Sequence, residues 1–232
     1  MKKVSVSYRL TAASGVIVGS SADVLSIGID KATIRRRKVK IEGLQEPLIP
    51  GSTLKGKIRY ECERLLDGLG QAVCHAPHPD TMCPHDPQLK VEQMPCEVCK
   101  LFGGPSQQSR LFFGDATINN SNVPAQFLTR VQAGVSISRK RRTAEDERLF
   151  YAERGVDGIT YEGKLEGYLE DDQLALVITA IERLTAIGGG KSRGAGWTNV
   201  EIVSVALDGR NLSRDEWQKL RVEGLPLWRA SK

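Results

Sequence analysis

Four cysteines close together in the sequence are the residues best suited to bind a metal ion. The segment CHAPHPDTMCPHDPQLKVEQMPCEVCK, residues 74–100, holds four of the five cysteines and all three histidines of this 232-residue chain. Cys96 and Cys99 form a Cys-x-x-Cys pair, which fits one side of a tetrahedral zinc site, and Cys74 and Cys83 lie upstream.

A metal explains this segment better than a redox-active pair does. A redox pair at Cys96 and Cys99 would leave the two upstream cysteines without a role. The sequence between the cysteines is rich in proline and poor in core-forming residues, so a metal is needed to hold it together. We therefore predict one structural Zn²⁺ bound by Cys74, Cys83, Cys96 and Cys99, with a histidine in place of Cys74 or Cys83 as the alternative.

Basic residues fall into clusters, although the formal net charge is only +5. Each cluster lies beside a glycine-rich or loop-like segment, and together they favour one surface that binds a polyanion. The clusters are at residues 30–40, 55–59, 138–142 and 190–194.

The last cluster, GGGKS at residues 188–192, has part of the sequence of a nucleotide-triphosphate loop. That loop needs a glycine where Thr185 stands, and it follows a strand, whereas this segment follows a predicted helix. Glycines nevertheless let backbone amides approach phosphates closely. We therefore predict binding of a phosphodiester backbone and not ATP hydrolysis.

Hydrophobic periodicity predicts the elements that position these clusters. Residues 4–10 alternate as a strand does, and a helix capped by Ser52 places Cys62 in its buried face. Further strands are predicted at residues 109–118, 159–169 and 198–207, and a second helix at 171–187. Two strand–helix–strand halves of this kind predict an α+β, ferredoxin-like (RRM-like) domain with helices on one side of an antiparallel sheet.

The hydropathy pattern argues against a membrane protein. A membrane-spanning helix needs about 18 consecutive apolar residues, and the chain has no such run. The N-terminal MKKVSVSYRLTAAS alternates instead of forming the apolar stretch of a signal peptide. We expect a cytoplasmic protein with no membrane contact, in which cysteines more often bind metals than form disulfides.

Four segments of the sequence carry a resemblance to a known family: IPGSTLKGKIR, LFGG with SRLFFGDA after it, GVSISRKRRTAEDERLFYAERGV and GGGKSRGAGW. Together they resemble the RAMP superfamily of CRISPR proteins. The similarity is strongest to the repeated backbone subunit of type III effector complexes, in the Csm and Cmr lineages. The very basic RKRR and the elaborate cysteine segment favour a divergent branch, either D-like or related to the fused single-chain effectors.

The resemblance implies a single RAMP domain over residues 1–232, with a zinc-binding insertion at 70–104 and a thumb β-hairpin at 130–160. Copies of such a subunit, or paralogous subunits, stack along a CRISPR guide RNA together with other effector subunits. A basic palm holds the RNA backbone and each thumb wedges between bases. The contacts expected here are Lys55, Arg59, Lys191 and Arg193 from the palm, and Arg139, Lys140, Arg141 and Arg142 from the thumb.

The resemblance also implies that complementary target RNA is cut at regular intervals by an endoribonuclease activity. The matching cleavage residue is Asp30, in the loop before the PGS helix. The 2′-hydroxyl of RNA can attack the adjacent phosphate when a scaffold enforces in-line geometry. A carboxylate can assist by accepting a proton or by holding a divalent cation, for which we expect Mg²⁺.

Two alternatives use the same fold. The chain could be a catalytically inert RNA-binding scaffold in which Asp30 only braces a turn. It could instead be a guide-processing endoribonuclease, but that activity usually needs a histidine, tyrosine or lysine near the active site. All three histidines lie in the cysteine segment, which argues against this second alternative.

Overall fold

The computed structural model describes residues 1–19, 29–37, 45–90, 95–118, 124 and 127–228, so residues 38–40 of the first basic cluster lie outside the described residues. The strands are β1 (Lys2–Ala12), β2 (Arg35–Arg37), β3 (Gln45–Ile49), β4 (Leu111–Phe113), β5 (Ala116–Ile118), β6 (Thr129–Ile137), β7 (Ala144–Gly155), β8 (Thr160–Leu169), β9 (Thr198–Leu207) and β10 (Arg210–Leu212). The helices are α1 (Gly51–Gly68), α2 (Glu97–Phe102), α3 (Asp171–Glu182) and α4 (Arg214–Gly224). Short 3-10 helices cover Pro79–Thr81, Lys191–Arg193 and Leu225–Trp228. Within the described ranges, none of the helices combines the length and the apolar character needed to cross a membrane.

One antiparallel sheet organises the domain. Its strand order in the described chain is β10-β9-β1-β8-β5-β3-β2, and β4 also pairs with β8. The central order β9-β1-β8-β5 is that of a ferredoxin-like sheet, because α1 lies between β1 and β5 in sequence and α3 lies between β8 and β9. The structure thus confirms the predicted α+β, ferredoxin-like fold.

Alternation along β1 explains why one face of the sheet is buried. The even-numbered residues from Val4 to Leu10 are at most 1% exposed, whereas Ser5, Ser7 and Arg9 on the other face are half-buried. Val6 lies opposite Leu165 in β8 and Val205 in β9, so adjacent strands present apolar side chains to the same side. The apolar faces of α1 and α3 join these side chains in one core.

A long hairpin occupies the segment in which the resemblance places a thumb. β6 and β7 form their own two-stranded antiparallel sheet, most of whose residues are exposed. Its turn is closed by a hydrogen bond from Ser138 N to Thr143 O at 2.9 Å. At its base, Gly155 N donates to Val16 O at 2.9 Å, which joins the hairpin to the chain that leaves β1.

Two local predictions were wrong, and Asp115 explains both. The predicted cap Ser52 lies inside α1, which begins at Gly51, and Gly51 N donates to Asp115 Oδ1 at 2.8 Å. The strand predicted over residues 109–118 is split into β4 and β5 around Gly114 and Asp115. The side chain that caps the helix therefore comes from a break in a distant strand and not from the helix itself.

The C-terminal part of the chain after residue 207, where no helix or strand is predicted from the sequence, covers α3. Trp217 and Trp228 are buried, and Trp228 Nε1 donates to Asp172 O at 3.1 Å at the start of α3. Ser213 caps α4 by accepting from Glu216 N. These contacts add a second helical layer over the ferredoxin-like core.

Candidate nucleic-acid interface and metal site

The four predicted cysteine ligands come together in space. The sulfur atoms of Cys74, Cys83, Cys96 and Cys99 all lie within 4.8 Å of one another, and all four residues are buried. Tetrahedral zinc with Zn–S bonds of about 2.3 Å separates its sulfurs by about 3.8 Å, so this set could hold a metal ion such as zinc. The three histidines are all among the described residues, and none belongs to this group.

The backbone around the cysteines already provides part of the environment of a thiolate site. Cys96 N, just before α2, donates to Cys83 Sγ at 3.4 Å. Hydrogen bonding with the Cys74 and Cys99 thiols lowers the pKa of Cys96. Hydrogen bonding with the Cys96 and Cys99 thiols raises the pKa of Cys74, and burial raises the pKa of Cys83. Burial also raises the pKa of Cys62, which lies in the core face of α1 as predicted and outside this group. The proximity of the four sulfurs, and not their pKa values, therefore distinguishes the candidate metal ligands from Cys62.

A cleft of about 730 Å³ lies between the hairpin and the glycine-rich loop. The chain after β1, the loop before β2, the hairpin strands and the glycine-rich loop all contribute to it. Its charged lining residues in the described chain are Lys31, Arg154 and Arg193, against the single carboxylate of Asp30. This balance gives the cleft a net positive charge, which suits a polyanion.

Asp30 is held against the hairpin by its backbone and its side chain. Asp30 N donates to Tyr151 O at 2.9 Å, and Asp30 Oδ2 accepts from Tyr151 N at 2.6 Å. The next residue forms a parallel bridge, in which Glu153 N donates to Lys31 O at 2.8 Å. Asp30 is exposed, so its carboxylate can reach a molecule bound in the cleft.

A buried carboxylate, Glu153, fixes the loop that carries Asp30. Glu153 Oε2 accepts from Thr33 N at 3.0 Å, while Oε1 accepts from Thr129 Oγ1 at 2.7 Å and is ion-paired with Arg35. Burial alone would raise the pKa of Glu153, but the hydrogen bonds from Thr33 and Thr129 and the ion pair with Arg35 outweigh it and lower the pKa. Glu153 thus joins β7, β6 and the Asp30 loop at the base of the hairpin.

The glycine-rich loop presents its basic residues through a tight turn. Gly190 and Gly194 have φ angles of +73° and +79°, and they flank the 3-10 helix Lys191–Arg193. Such left-handed angles favour glycine, which explains the spacing of the glycines in the motif. The turn places Arg193 Cζ 5.9 Å from the centre of the Phe150 ring in the hairpin, within the range of a cation–π contact.

Comparison with known proteins supports the family resemblance. A family model of the RAMP superfamily matches residues 9–200, which include the end of β1, the metal cluster, the hairpin and the glycine-rich loop. The chain belongs to the RAMP superfamily. RAMP proteins bind CRISPR RNA and other Cas subunits, and some are endoribonucleases. No curated protein matches the chain.

In this RAMP protein the predicted palm contacts do not lie together. Lys191 and Arg193 belong to the glycine-rich loop, but Lys55 lines a separate groove beside Gln108 and Phe112. The predicted thumb contacts Arg139, Lys140, Arg141 and Arg142 are exposed at the hairpin turn. That turn begins four residues beyond Val135, which lines the cleft, and so lies about 14 Å from it at about 3.4 Å per residue.

Arg59 was wrongly predicted to contact RNA. Its side chain is buried, and Nε donates to Glu63 Oε1 at 2.8 Å while Nη1 donates to Gly103 O at 2.7 Å. Helical periodicity places Arg59 one turn after Lys55, but it does not reveal that the loop after α2 covers this position. Glu63 lies four residues after Arg59 on the same helix, and this spacing could have predicted the ion pair between them.

The sequence analysis also missed basic residues next to the predicted ones. Partial burial and the nearby Lys191 ammonium lower the pKa of Lys57, although Glu61 acts in the opposite direction, so Lys57 lies close to the basic residues of the glycine-rich loop. Arg154 lines the cleft, and its Nε is buried with no hydrogen-bond partner among the residues that the structure describes. The period of two along β7, which puts Phe150, Ala152 and Arg154 on one face, could have identified Arg154.

Proposed function

We propose that this protein is a guide-RNA-binding backbone subunit of a type III CRISPR effector complex. The observation that carries the proposal is the positively charged cleft between the hairpin and the glycine-rich loop. It combines basic side chains with glycine backbone and an aromatic ring, which are the components that bind an RNA strand without reading its sequence.

Arg154 supports a phosphate as the ligand of this cleft. Its side chain lines the cleft, and its Nε has no hydrogen-bond partner among the described residues, so the positive charge of the guanidinium is available to a phosphate oxygen. The ammonium groups of Lys57 and Lys191 repel each other, and an anion bound near both would offset the repulsion. The proposed RNA contacts are therefore Lys57, Arg154, Lys191 and Arg193, with Lys55 and residues 139–142 at greater distance.

The hairpin would act as the thumb and the ferredoxin-like core as the palm. Repeated copies or paralogous subunits would stack along the guide, and target RNA would pair with it beside each hairpin. In this arrangement the cysteine cluster would hold a structural Zn²⁺ that stabilises the insertion against α1. The family's capacity to bind CRISPR RNA and other Cas subunits supports these partners.

We further propose that Asp30 supports cleavage of the target. The 2′-oxygen of the target would attack the adjacent phosphorus, the bond to the 5′-oxygen would break, and a 2′,3′-cyclic phosphate and a 5′-hydroxyl end would form. Asp30 would accept the 2′-hydroxyl proton, solvent water would donate a proton to the leaving 5′-oxygen, and Arg154 and Arg193 would stabilise the negative charge on the phosphoryl oxygens. Because Asp30 is the one carboxylate lining the described cleft, a Mg²⁺ ion there would need phosphate oxygens of the RNA as further ligands.

One observation favours the scaffold alternative for Asp30. Its Oδ2 already accepts a short hydrogen bond from Tyr151 N, which is what a bracing residue would do. If Asp30 only braces the loop, the native protein would still bind RNA, but it would not cleave the RNA with this carboxylate. The substitution Asp30→Asn separates the two roles, because an amide oxygen can still accept from Tyr151 N but cannot act as a base.

The guide-binding proposal is tested by purifying the protein with its natural partners and sequencing the RNA that accompanies it. The proposal predicts RNAs that share CRISPR repeat sequence and differ in their spacer sequences. RNA of random origin would overturn the proposal.

A further inference from the structure

Arg59, which the structure removes from the RNA surface, lies where α1 meets the cysteine cluster. It is only 8% exposed. Its Nη2 lies 3.5 Å from Cys99 Sγ and 3.9 Å from Cys74 Sγ. We propose that Arg59 is a positioning residue of the metal site, which donates hydrogen bonds to the sulfurs of Cys99 and Cys74 and holds both ligands in place.

The contacts of Nε and Nη1 orient the guanidinium so that Nη2 faces the sulfurs. Nε donates to Glu63 Oε1 at 2.8 Å and Nη1 donates to Gly103 O at 2.7 Å. Because the guanidinium is planar, these two contacts fix the direction of Nη2. A lysine has three N–H donors, but they share one nitrogen and could not reach Glu63, Gly103 and the sulfurs together as the three separate nitrogens of Arg59 do.

The same contacts connect both ends of the cysteine segment to α1. Glu63 Oε1 also accepts from Ala76 N at 3.4 Å, two residues after Cys74. Gly103 N donates to Cys99 O at 2.9 Å, so the carbonyl that Arg59 binds belongs to the residue that ends the helix of Cys99. Arg59 and Glu63 therefore anchor the flanks of the first and last ligands as well as the sulfurs themselves.

The charge of the site gives this arrangement a physical reason. Four thiolates around a divalent ion carry a formal charge of about −2, which is costly to bury without donors directed at the sulfurs. Groups of this kind around metal ligands typically change metal affinity by about 10–100-fold. The simpler alternative is that Arg59 only braces α1 against the Gly103 carbonyl, whatever occupies the cysteines.

Cobalt spectroscopy distinguishes the two roles in the full-length chain, without RNA or any activity assay. Co²⁺ replaces Zn²⁺ in tetrahedral thiolate sites and gives a near-ultraviolet charge-transfer band whose energy depends on the sulfur lone pairs. Arg59→Met removes the donors to sulfur while keeping most of the side-chain volume. We expect this band to move to longer wavelength while the visible bands of tetrahedral Co²⁺ persist. In parallel, Zn²⁺ affinity against a competing chelator should fall about 10–100-fold.

Arg64→Met is the matched control, because Arg64 is on the same helix but is exposed and paired with Glu61. It should change neither the spectrum nor the affinity. If Arg59→Met does not fold, Arg59→Lys is measured instead, and it should give a smaller shift in the same direction and weaker Zn²⁺ binding than the wild type. Wild-type spectra and affinity in the folded Arg59 variant, even with a lower thermal midpoint, would overturn the proposal and leave Arg59 as a brace.

Discussion

The cysteine cluster and the cleft are built in opposite ways. The cluster draws its ligands from one stretch of chain, with Cys74 and Cys99 only 25 positions apart. The cleft brings together the Asp30 loop, the hairpin and the glycine-rich loop, which are spread from the first strand to the last quarter of the sequence. The cluster is buried, whereas the cleft is open to a large ligand.

Because of this difference, we expect the cluster to matter mainly for folding stability and the cleft mainly for ligand binding. The buried cluster adds to the few apolar side chains with which its proline-rich segment joins the core, so losing its metal should destabilise the segment. The basic side chains of an open cleft contribute little to folding stability, and they repel one another until an anion binds. Changes in the cluster should therefore be seen mainly as lost stability, and changes in the cleft mainly as lost binding.

The largest effect is expected for Cys96→Ser. We expect the variant to lose its metal and several kcal/mol of unfolding free energy, which at this chain length lowers the thermal midpoint by about 10 °C. Elemental analysis and thermal unfolding measure both results. Cys62→Ala is the matched control and should keep one metal ion per chain, because Cys62 lies in the core. A metal-free wild-type protein with an unchanged thermal midpoint would contradict the structural role of the metal.

A large effect on binding, with little effect on stability, is expected for the double variant Arg154→Met and Arg193→Met. Each lost phosphate contact should weaken RNA binding about tenfold, or about 1.4 kcal/mol, irrespective of sequence. The slope of log affinity against log salt should fall by about 0.7 for each contact with a single strand.

Arg210→Met tests whether net charge alone explains such a loss. Arg210 lies on the edge strand β10 and is ion-paired with Glu216, away from the cleft residues. Filter-binding assays at several salt concentrations should show wild-type affinity for this variant. If the double variant behaves like the control, the cleft is not the RNA site.

A smaller effect is expected for Glu153→Gln, which sharpens the comparison because Glu153 is the buried element of the cleft. Loss of its charge leaves Arg35 without its partner and should cost about 2 kcal/mol of unfolding free energy.

The pKa of Glu153 is lowered below its ordinary value of 4.5, so the stability it contributes is present above that pH and is lost as pH falls through the lower folded-state pKa. Denaturant unfolding between about pH 3 and 7 should therefore show a shallower acid dependence in the variant. The same acid dependence in both proteins would show that Glu153 does not fix the loop.

The sequence predicted the cluster well because residue type and local spacing determine a zinc site. Cys-x-x-Cys and two further cysteines sufficed, and hydrophobic periodicity separated Cys62 from them. The ferredoxin-like order could also be predicted, because β1, β8 and β9 alternate clearly. The break between β4 and β5 could not, since it depends on Asp115 reaching the start of α1.

The cleft was only partly predictable because its members meet through tertiary structure. Asp30 and Arg193 were identified as separate features, and nothing in their local sequence shows that both line one cavity. Arg59 was misplaced because a charged residue on an amphipathic helix normally faces solvent, and here it faces thiols. Arg154 was missed because it lies in a strand of mostly exposed charged residues.

The central claim, that this RAMP protein binds guide-paired RNA in the cleft and cuts it there, is tested most directly by the cleavage rate of complexes carrying Asp30→Asn. Asparagine keeps an acceptor for Tyr151 N but loses the carboxylate, and Asp146→Asn, on the exposed part of the hairpin, is the matched control. We expect at least a hundredfold slower cleavage of complementary RNA by Asp30→Asn, with target affinity unchanged and the control fully active. Undiminished cleavage by Asp30→Asn would contradict a role of this carboxylate in cleavage.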